Sequence, residues 1–196
     1  KENDKAIPVL SRLENEADVS QNKTYAQSNL MKLYYNKKDY PNSGIYAEKV
    51  LMNPKADDNV KSDAQIIIAR AAIETGDEAK AKVAYAKVLA IAKGELAAEA
   101  LYYDAYFKNK EGKFEASNAA VQKIAKNYSS YKYFGAKGLI LMAKNFYGLK
   151  DSYQATYILE NVIQNFTDYP DVVSEAKTEL NAIKTEEAKT NSSITK

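Results

Sequence analysis

One small side chain recurs along this chain at a nearly constant interval. Positions 6, 43, 81, 117 and 155 hold only alanine or serine, and they follow one another at steps of 37, 38, 36 and 38 residues. An apolar or aromatic side chain follows each of them at the fourth residue, and an apolar one at the seventh. This spacing places the three side chains on one face of a helix. A phase that persists over about 150 residues indicates a repeat protein.

The stretch 61–89 shows what one repeat contains. Apolar residues recur at helical spacing on both sides of the dipeptide Gly76-Asp77. Gly76 can adopt the left-handed backbone conformation that ends a helix, and Asp77 can accept hydrogen bonds from the free amides that begin the next one. Relatives of this dipeptide occur at 38–39, 112–113 and 150–151. The sequence therefore predicts a series of helix–turn–helix units.

The repeat predicts an all-α protein in which helix pairs stack into a solenoid of about four and a half units over residues 4–184. We expect a lone second helix at 4–17, whose partner would precede the sequence, and a closing helix at 171–184 with a polar outer face. The polar remainder, 185–196, is expected to be disordered. The four complete pairs are expected at 23–53, 60–92, 95–127 and 132–166.

The composition restricts the chemistry available to the chain. It contains no Cys and no His, which removes disulfides, the usual structural zinc sites and every pairing of a nucleophile with histidine. The sequence contains no calcium loop and no glycine-rich phosphate loop. No apolar run approaches the roughly 20 residues that a membrane-spanning helix needs. We therefore expect no catalytic residue, no cofactor, no metal and no transmembrane segment.

The charge balance argues against a dedicated nucleic-acid binder. The 28 basic and 26 acidic residues leave a net charge of only +2, and Arg12 and Arg70 are the only arginines. The planar fork that suits bidentate phosphate or base recognition is thus nearly absent. Nucleic acid is not the expected partner, although an RNA-binding helical-repeat protein remains an alternative. Such a protein would concentrate its cations on one face.

In this register the chain resembles the tetratricopeptide repeat family. In the second pair, Ile68 and Ala69 occupy the family's Leu-Gly pair, Ala72 its first aromatic site and Gly76 its turn glycine. Ala81 and Tyr85 occupy the next small and aromatic sites, and Val88 occupies the last small site. The chain departs from the family in having no Trp and in steps longer than the family's 34 residues, which implies longer connections. The segment 139–166 is similar to the C-terminal repeat of long tetratricopeptide proteins in the envelope of Bacteroidetes-type bacteria.

The resemblance implies a right-handed superhelix, a concave groove lined by the first helix of each pair, and a non-catalytic protein-interaction scaffold. By resemblance alone, its location would be periplasmic or associated with the cell envelope. The side chains expected to face the groove are rich in Tyr and long cations, which suits recognition of a protein or peptide segment. They are Tyr25, Lys32, Tyr35, Ile66, Arg70, Ile73, Tyr102, Tyr106, Lys137, Lys144 and Tyr147.

Lys32, Arg70 and Lys144 share one repeat position, so they could form a cationic row that holds an acidic or C-terminal peptide. Each candidate also has a purely structural interpretation. Helical lysines usually form a solvated face, and most tyrosines pack between neighbouring pairs. Ile66 and Ile73 are additional to the buried stripe, so they contact either the neighbouring pair or a ligand. An accessory or substrate-capture module of a larger envelope protein is a further alternative.

Overall fold

The computed structural model describes the backbone of residues 2–194 and the side chains of residues 5–190. These residues form ten α-helices and no strand, which confirms the all-α prediction. Each complete pair begins and ends within three residues of its predicted bounds. The helices are α1 (Glu2–Glu16), α2 (Ser20–Asn36), α3 (Tyr40–Met52), α4 (Asp58–Glu74), α5 (Glu78–Ile91), α6 (Gly94–Lys110), α7 (Phe114–Asn127), α8 (Lys132–Gly148), α9 (Ser152–Asn165) and α10 (Pro170–Ile194).

The chain divides into two compact units, residues 1–96 and 97–196. In unit 1, each helix from α1 to α5 packs against the next, and the first helices α2 and α4 also contact each other. In unit 2, α7 to α10 pack in the same consecutive manner, and α8 also contacts α10. Each unit therefore consists of helix pairs that pack against their neighbours, the arrangement of a helical repeat.

The recurring small residues lie at the centre of each pair. Ser43, Ala81, Ser117 and Ala155 have no exposed surface, whereas Ala6 near the start of the chain is half-buried. Small side chains at these points allow the two helix axes of a pair to approach closely. The apolar residues seven positions further on complete the same buried face: Val50, Val88, Ile124 and Val162 are at most 1% exposed.

A buried polar network joins the first three helices of unit 2. Asn145 of α8 has no exposed surface. Its amide group donates to the Ser117 hydroxyl at 2.8 Å and to the Asn118 side-chain carbonyl at 2.7 Å, and its own carbonyl accepts from the Asn109 amide at 2.7 Å. The Ser117 hydroxyl in turn donates to the backbone carbonyl of Ala105 at 2.8 Å. The network therefore satisfies both polar atoms of a side chain that would be costly to bury alone.

The four turns within helix pairs share one backbone geometry. Residues 38, 76, 112 and 150 have φ values of 62°, 74°, 71° and 68°. In each turn this residue's amide donates to the carbonyl three residues earlier, and the next amide donates to the carbonyl five residues earlier. This pattern is the Schellman motif that ends helices. Asp77 accepts a hydrogen bond from the amide of Lys80 at 3.0 Å, so the predicted roles of Gly76 and Asp77 are confirmed.

The closing helix is longer than the sequence predicts. α10 continues to Ile194, so the expectation of a disordered tail is wrong for residues 185–194; residues 195 and 196 lie outside the described part of the chain. The segment is polar, but Glu, Ala and Lys are good helix formers. The Ser152 hydroxyl at the start of α9 donates to the Glu187 carboxylate at 2.9 Å, which ties this extension to the preceding helix.

We expect Ala81→Lys to unfold the second helix pair. A lysine at this fully buried position would cost several kcal/mol, against a total stability of about 5–15 kcal/mol for an ordinary domain. Ala79→Lys, which makes the same change at an exposed position of the same helix, is the matched control. Urea denaturation followed by circular dichroism measures both. Equal stability of the two variants would contradict the assigned register.

Lys150→Gly should stabilise unit 2 by about 0.5–1 kcal/mol, because a side chain with a Cβ is strained in the left-handed region and glycine is not. The reciprocal change Gly76→Lys should lower the stability of unit 1 by a similar amount, since it introduces the same strain. Midpoints of urea unfolding report both effects. A loss of stability in Lys150→Gly would show that the turn does not hold this residue at positive φ.

Candidate interaction surface

Seven aromatic rings of unit 2 form one connected cluster, which we call the aromatic cluster. Its members come from α6, from α8 and from the loop before α10. The rings of Tyr102 and Phe134 link α6 to α8 with centroids 6.3 Å apart, and those of Tyr133 and Tyr169 link α8 to the loop at 5.7 Å. The cluster consists of Tyr102, Tyr103, Tyr106, Phe107, Tyr133, Phe134 and Tyr169.

Helical spacing explains why α6 contributes four of these rings. Tyr102 and Tyr106 are four residues apart, as are Tyr103 and Phe107, so two ring pairs lie on neighbouring stripes of the helix. Most contacts within the cluster are tilted or edge-to-face, the geometry that aromatic pairs prefer. Phe107 is 6% exposed, whereas the three tyrosines of α6 are half-buried. The cluster is therefore fixed at Phe107 by burial, while its tyrosine rings remain partly accessible to a partner.

Charges of both signs border the aromatic cluster. The Lys137 ammonium lies 5.9 Å from the centroid of the Tyr102 ring and forms an ion pair with Glu175 of α10. Lys110 lies 5.5 Å from the centroid of the Tyr106 ring. Cations at these distances are attracted by the faces of aromatic rings. The border can therefore interact with either sign of charge on a partner.

Two hydroxyls of the cluster have raised pKa values. Burial, followed by the negative charge of Glu175, raises the pKa of Tyr102 well above its ordinary value. Burial also raises the pKa of Tyr133 to about 12, and the hydrogen bond that Tyr133 donates to the Asp171 carboxylate at 3.0 Å adds to this shift. Both phenols are neutral near pH 7, as an ordinary tyrosine is, and the raised pKa values extend this neutral range to higher pH.

The predicted cationic row is paired with acidic residues. Lys32 of α2 contacts Asp63 of α4 at 2.6 Å, and Lys144 of α8 contacts Glu179 of α10 at 2.7 Å. Arg70 also has an interaction partner. Each lysine therefore pairs with a carboxylate two helices further along the chain, on α4 and on the closing helix α10. The repeat position of the lysines alone does not predict these partners. Lys32 and Lys144 therefore each have an acidic partner within the protein, and an acidic peptide would compete with those carboxylates for them.

The remaining candidates in unit 1 occupy different environments. Tyr25 is 61% exposed, and Tyr35 is half-buried against the ring of Tyr40 at 5.7 Å. Ile66 is 3% exposed, which favours a packing role over contact with a ligand, while Ile73 is half-buried.

The candidates in unit 2 are better connected. The structure brings Tyr102, Tyr106 and Lys137 together at the aromatic cluster, and Lys144 lies on the same helix as Lys137. Tyr147 instead packs against the hydrophobic core of the unit. The sequence analysis missed the other rings. Tyr133 stands four residues before Lys137, a helical step that could have revealed it, whereas Tyr169 lies in a loop and carries no periodic signal.

No protein-family model, curated protein or solved structure matches this chain. Across the described helices, none combines the length and the apolar character required to cross a bilayer. The described residues also contain no group of three or more His, Cys, Asp or Glu side chains arranged to hold a metal ion.

The raised pKa of Tyr133 predicts a loss of stability at high pH. The favourable contribution of the neutral phenol is fully present below the unfolded pKa of about 10 and is lost as the pH rises to about 12. We expect the free energy of unfolding to fall across this window, and to fall less steeply in Tyr133→Phe. Tyr153→Phe, which removes a hydroxyl from a 76% exposed residue, is the control. Identical slopes in wild type and Tyr133→Phe would contradict the prediction.

Proposed function

We propose that this protein is a non-catalytic interaction scaffold of the tetratricopeptide-like kind, and that unit 2 binds a peptide or protein segment across its aromatic cluster. The observation that carries the proposal is the continuity of seven rings from α6 through α8 to the loop before α10. Tyr provides a large, stiff contact area with a polar hydroxyl at low entropic cost, a combination that recognition surfaces use.

The repeat length and the packing of successive helix pairs support a right-handed superhelix, in which first helices line the concave side. In that arrangement the rings of α6 and α8 would face the groove together with Lys137. A mixed-charge border suits a partner with both acidic and basic side chains, and charge complementarity would contribute to specificity more than to affinity. By resemblance alone, we propose that such a scaffold works in a bacterial envelope as part of a larger protein.

The pairing of cations argues for a protein partner rather than RNA. A surface that binds single-stranded RNA needs cations available to the phosphates along a continuous path. Here Lys32, Lys137 and Lys144 each form an ion pair with a neighbouring carboxylate. A phosphate backbone would have to displace those carboxylates before it could use the same cations. The peptide-binding function is therefore the better supported one.

The test starts from peptides selected on the full chain from a displayed random library. Affinities of the selected peptides are then measured by fluorescence polarisation. We expect Tyr106→Ala to weaken binding about tenfold or more, as truncation of an aromatic anchor commonly does, and Lys137→Gln to weaken it less. Tyr153→Ala, at an exposed tyrosine of α9 outside the cluster, should leave affinity within about twofold.

Circular dichroism must show that each variant keeps its helicity, because Tyr106 also packs against the core of the unit. Peptides that bind equally to all folded variants would place the binding surface elsewhere. A labelled oligouridine that binds with a steep dependence on salt would favour the RNA-binding alternative.

A further inference from the structure

Unit 2 contains a cavity away from the aromatic cluster, which we call the inter-pair cavity. It lies where the end of α7, the start of α8 and the end of α9 meet, and its volume is about 390 Å³. Small-molecule sites in proteins typically occupy about 300–1,000 Å³ and are mostly apolar with a few polar groups. The wall of this cavity has that character: it includes Val121, Ile124, Leu139 and Phe166.

The spacing of two glycines explains why the cavity exists. A Cβ added at Gly138 would lie 3.1 Å from Cγ1 of Val121, so α7 and α8 make close contact at that turn. A Cβ added at Gly135, one turn earlier, would meet nothing within 4 Å. The helices therefore touch at Gly138 and leave open space at Gly135. A larger side chain at Gly135 would extend into that space without first displacing a neighbour.

The charged groups in the cavity lining are all positive. Lys132 is the only charged residue that lines it, and it makes no ion pair with any other residue that the structure describes. Tyr128, Ser129 and Asn165 contribute uncharged polar groups to the same lining. A ligand complementary to this surface has an apolar body and one anionic end.

We propose that the inter-pair cavity binds a small anionic amphiphile, an unbranched aliphatic carboxylate, with its chain against Ile124, Leu139 and Phe166 and its carboxylate near Lys132. The cavity is separate from the aromatic cluster, because α8 presents Lys132, Gly135 and Leu139 to the cavity but Tyr133, Phe134 and Lys137 to the cluster. The proposal therefore does not depend on the function proposed above, and either can fail alone.

The test measures binding of decanoate below its micelle concentration to the full chain, by saturation-transfer NMR and calorimetry, with decanol as the uncharged probe of equal chain length. Wild type should bind both probes. Gly135→Leu fills the open space and should weaken both more than tenfold. Lys132→Gln should weaken decanoate about 2- to 5-fold, as loss of one solvent-exposed ionic contact does, and leave decanol unchanged.

Matched controls distinguish loss of binding at the cavity from the general effects of adding a leucine to a helix or removing a positive charge. Gly44→Leu makes the same helical substitution in unit 1, at another glycine whose added Cβ meets nothing within 4 Å, and Lys123→Gln removes an exposed cation of α7 that does not line the cavity. Both should bind decanoate as wild type does. The proposal is overturned if wild type binds no decanoate, if Gly135→Leu binds it equally, or if Lys132→Gln weakens both probes alike.

A third probe examines the other possible occupant, a side chain of a partner peptide. The blocked tripeptide Ac-Ala-Leu-Ala-NH2 offers an aliphatic group without a charge. Decanoate binding that the tripeptide does not displace supports the proposal. Binding of the tripeptide without binding of decanoate would assign the cavity to peptide recognition and overturn it.

Discussion

The close approach of two helices at a buried small residue is the contact on which each pair depends. Ser43, Ala81, Ser117 and Ala155 are all completely buried, so a larger side chain at any of them would have to fit between packed helices. The two serines also need a partner for the hydroxyl. Ser43 donates to the backbone carbonyl of Met31 at 3.0 Å, in the same way that Ser117 donates to Ala105. The interval between these positions sets the interval between pairs, and the pairs carry the surfaces described above.

Much of the fold was predictable because its determinants are local. The helical period is visible in the sequence, and Gly76-Asp77 and the related dipeptides predict the turns. Two of the four turns place lysine at positive φ, at residues 38 and 150, and only comparison with the glycine turns could reveal them. Polar composition alone does not predict the length of α10, because its residues favour a helix and Glu187 has a partner on α9.

The candidate surface was less predictable because it depends on contacts between residues far apart in the sequence. Tyr102 and Phe134 are 32 positions apart, and neither helix alone shows that their rings meet. The pairing of charges is equally hard to predict from the sequence. Lys144 belongs to a cationic row by its repeat position, but in the structure it pairs with Glu179 of the closing helix α10. A repeat pattern identifies equivalent positions, but it does not show which charged residues at other positions pair with them.

Asn145 has a consequence for how a chain of similar repeats finds its correct arrangement. Helices with nearly identical apolar stripes can slide along each other by one turn and still bury comparable apolar surface. A slipped α8 would remove the amide of Asn145 from Asn109, Ser117 and Asn118 and leave its polar atoms buried without partners. Such a loss costs about 1–3 kcal/mol for each unsatisfied group, so this one amide penalises the misaligned alternatives that a purely apolar core would tolerate.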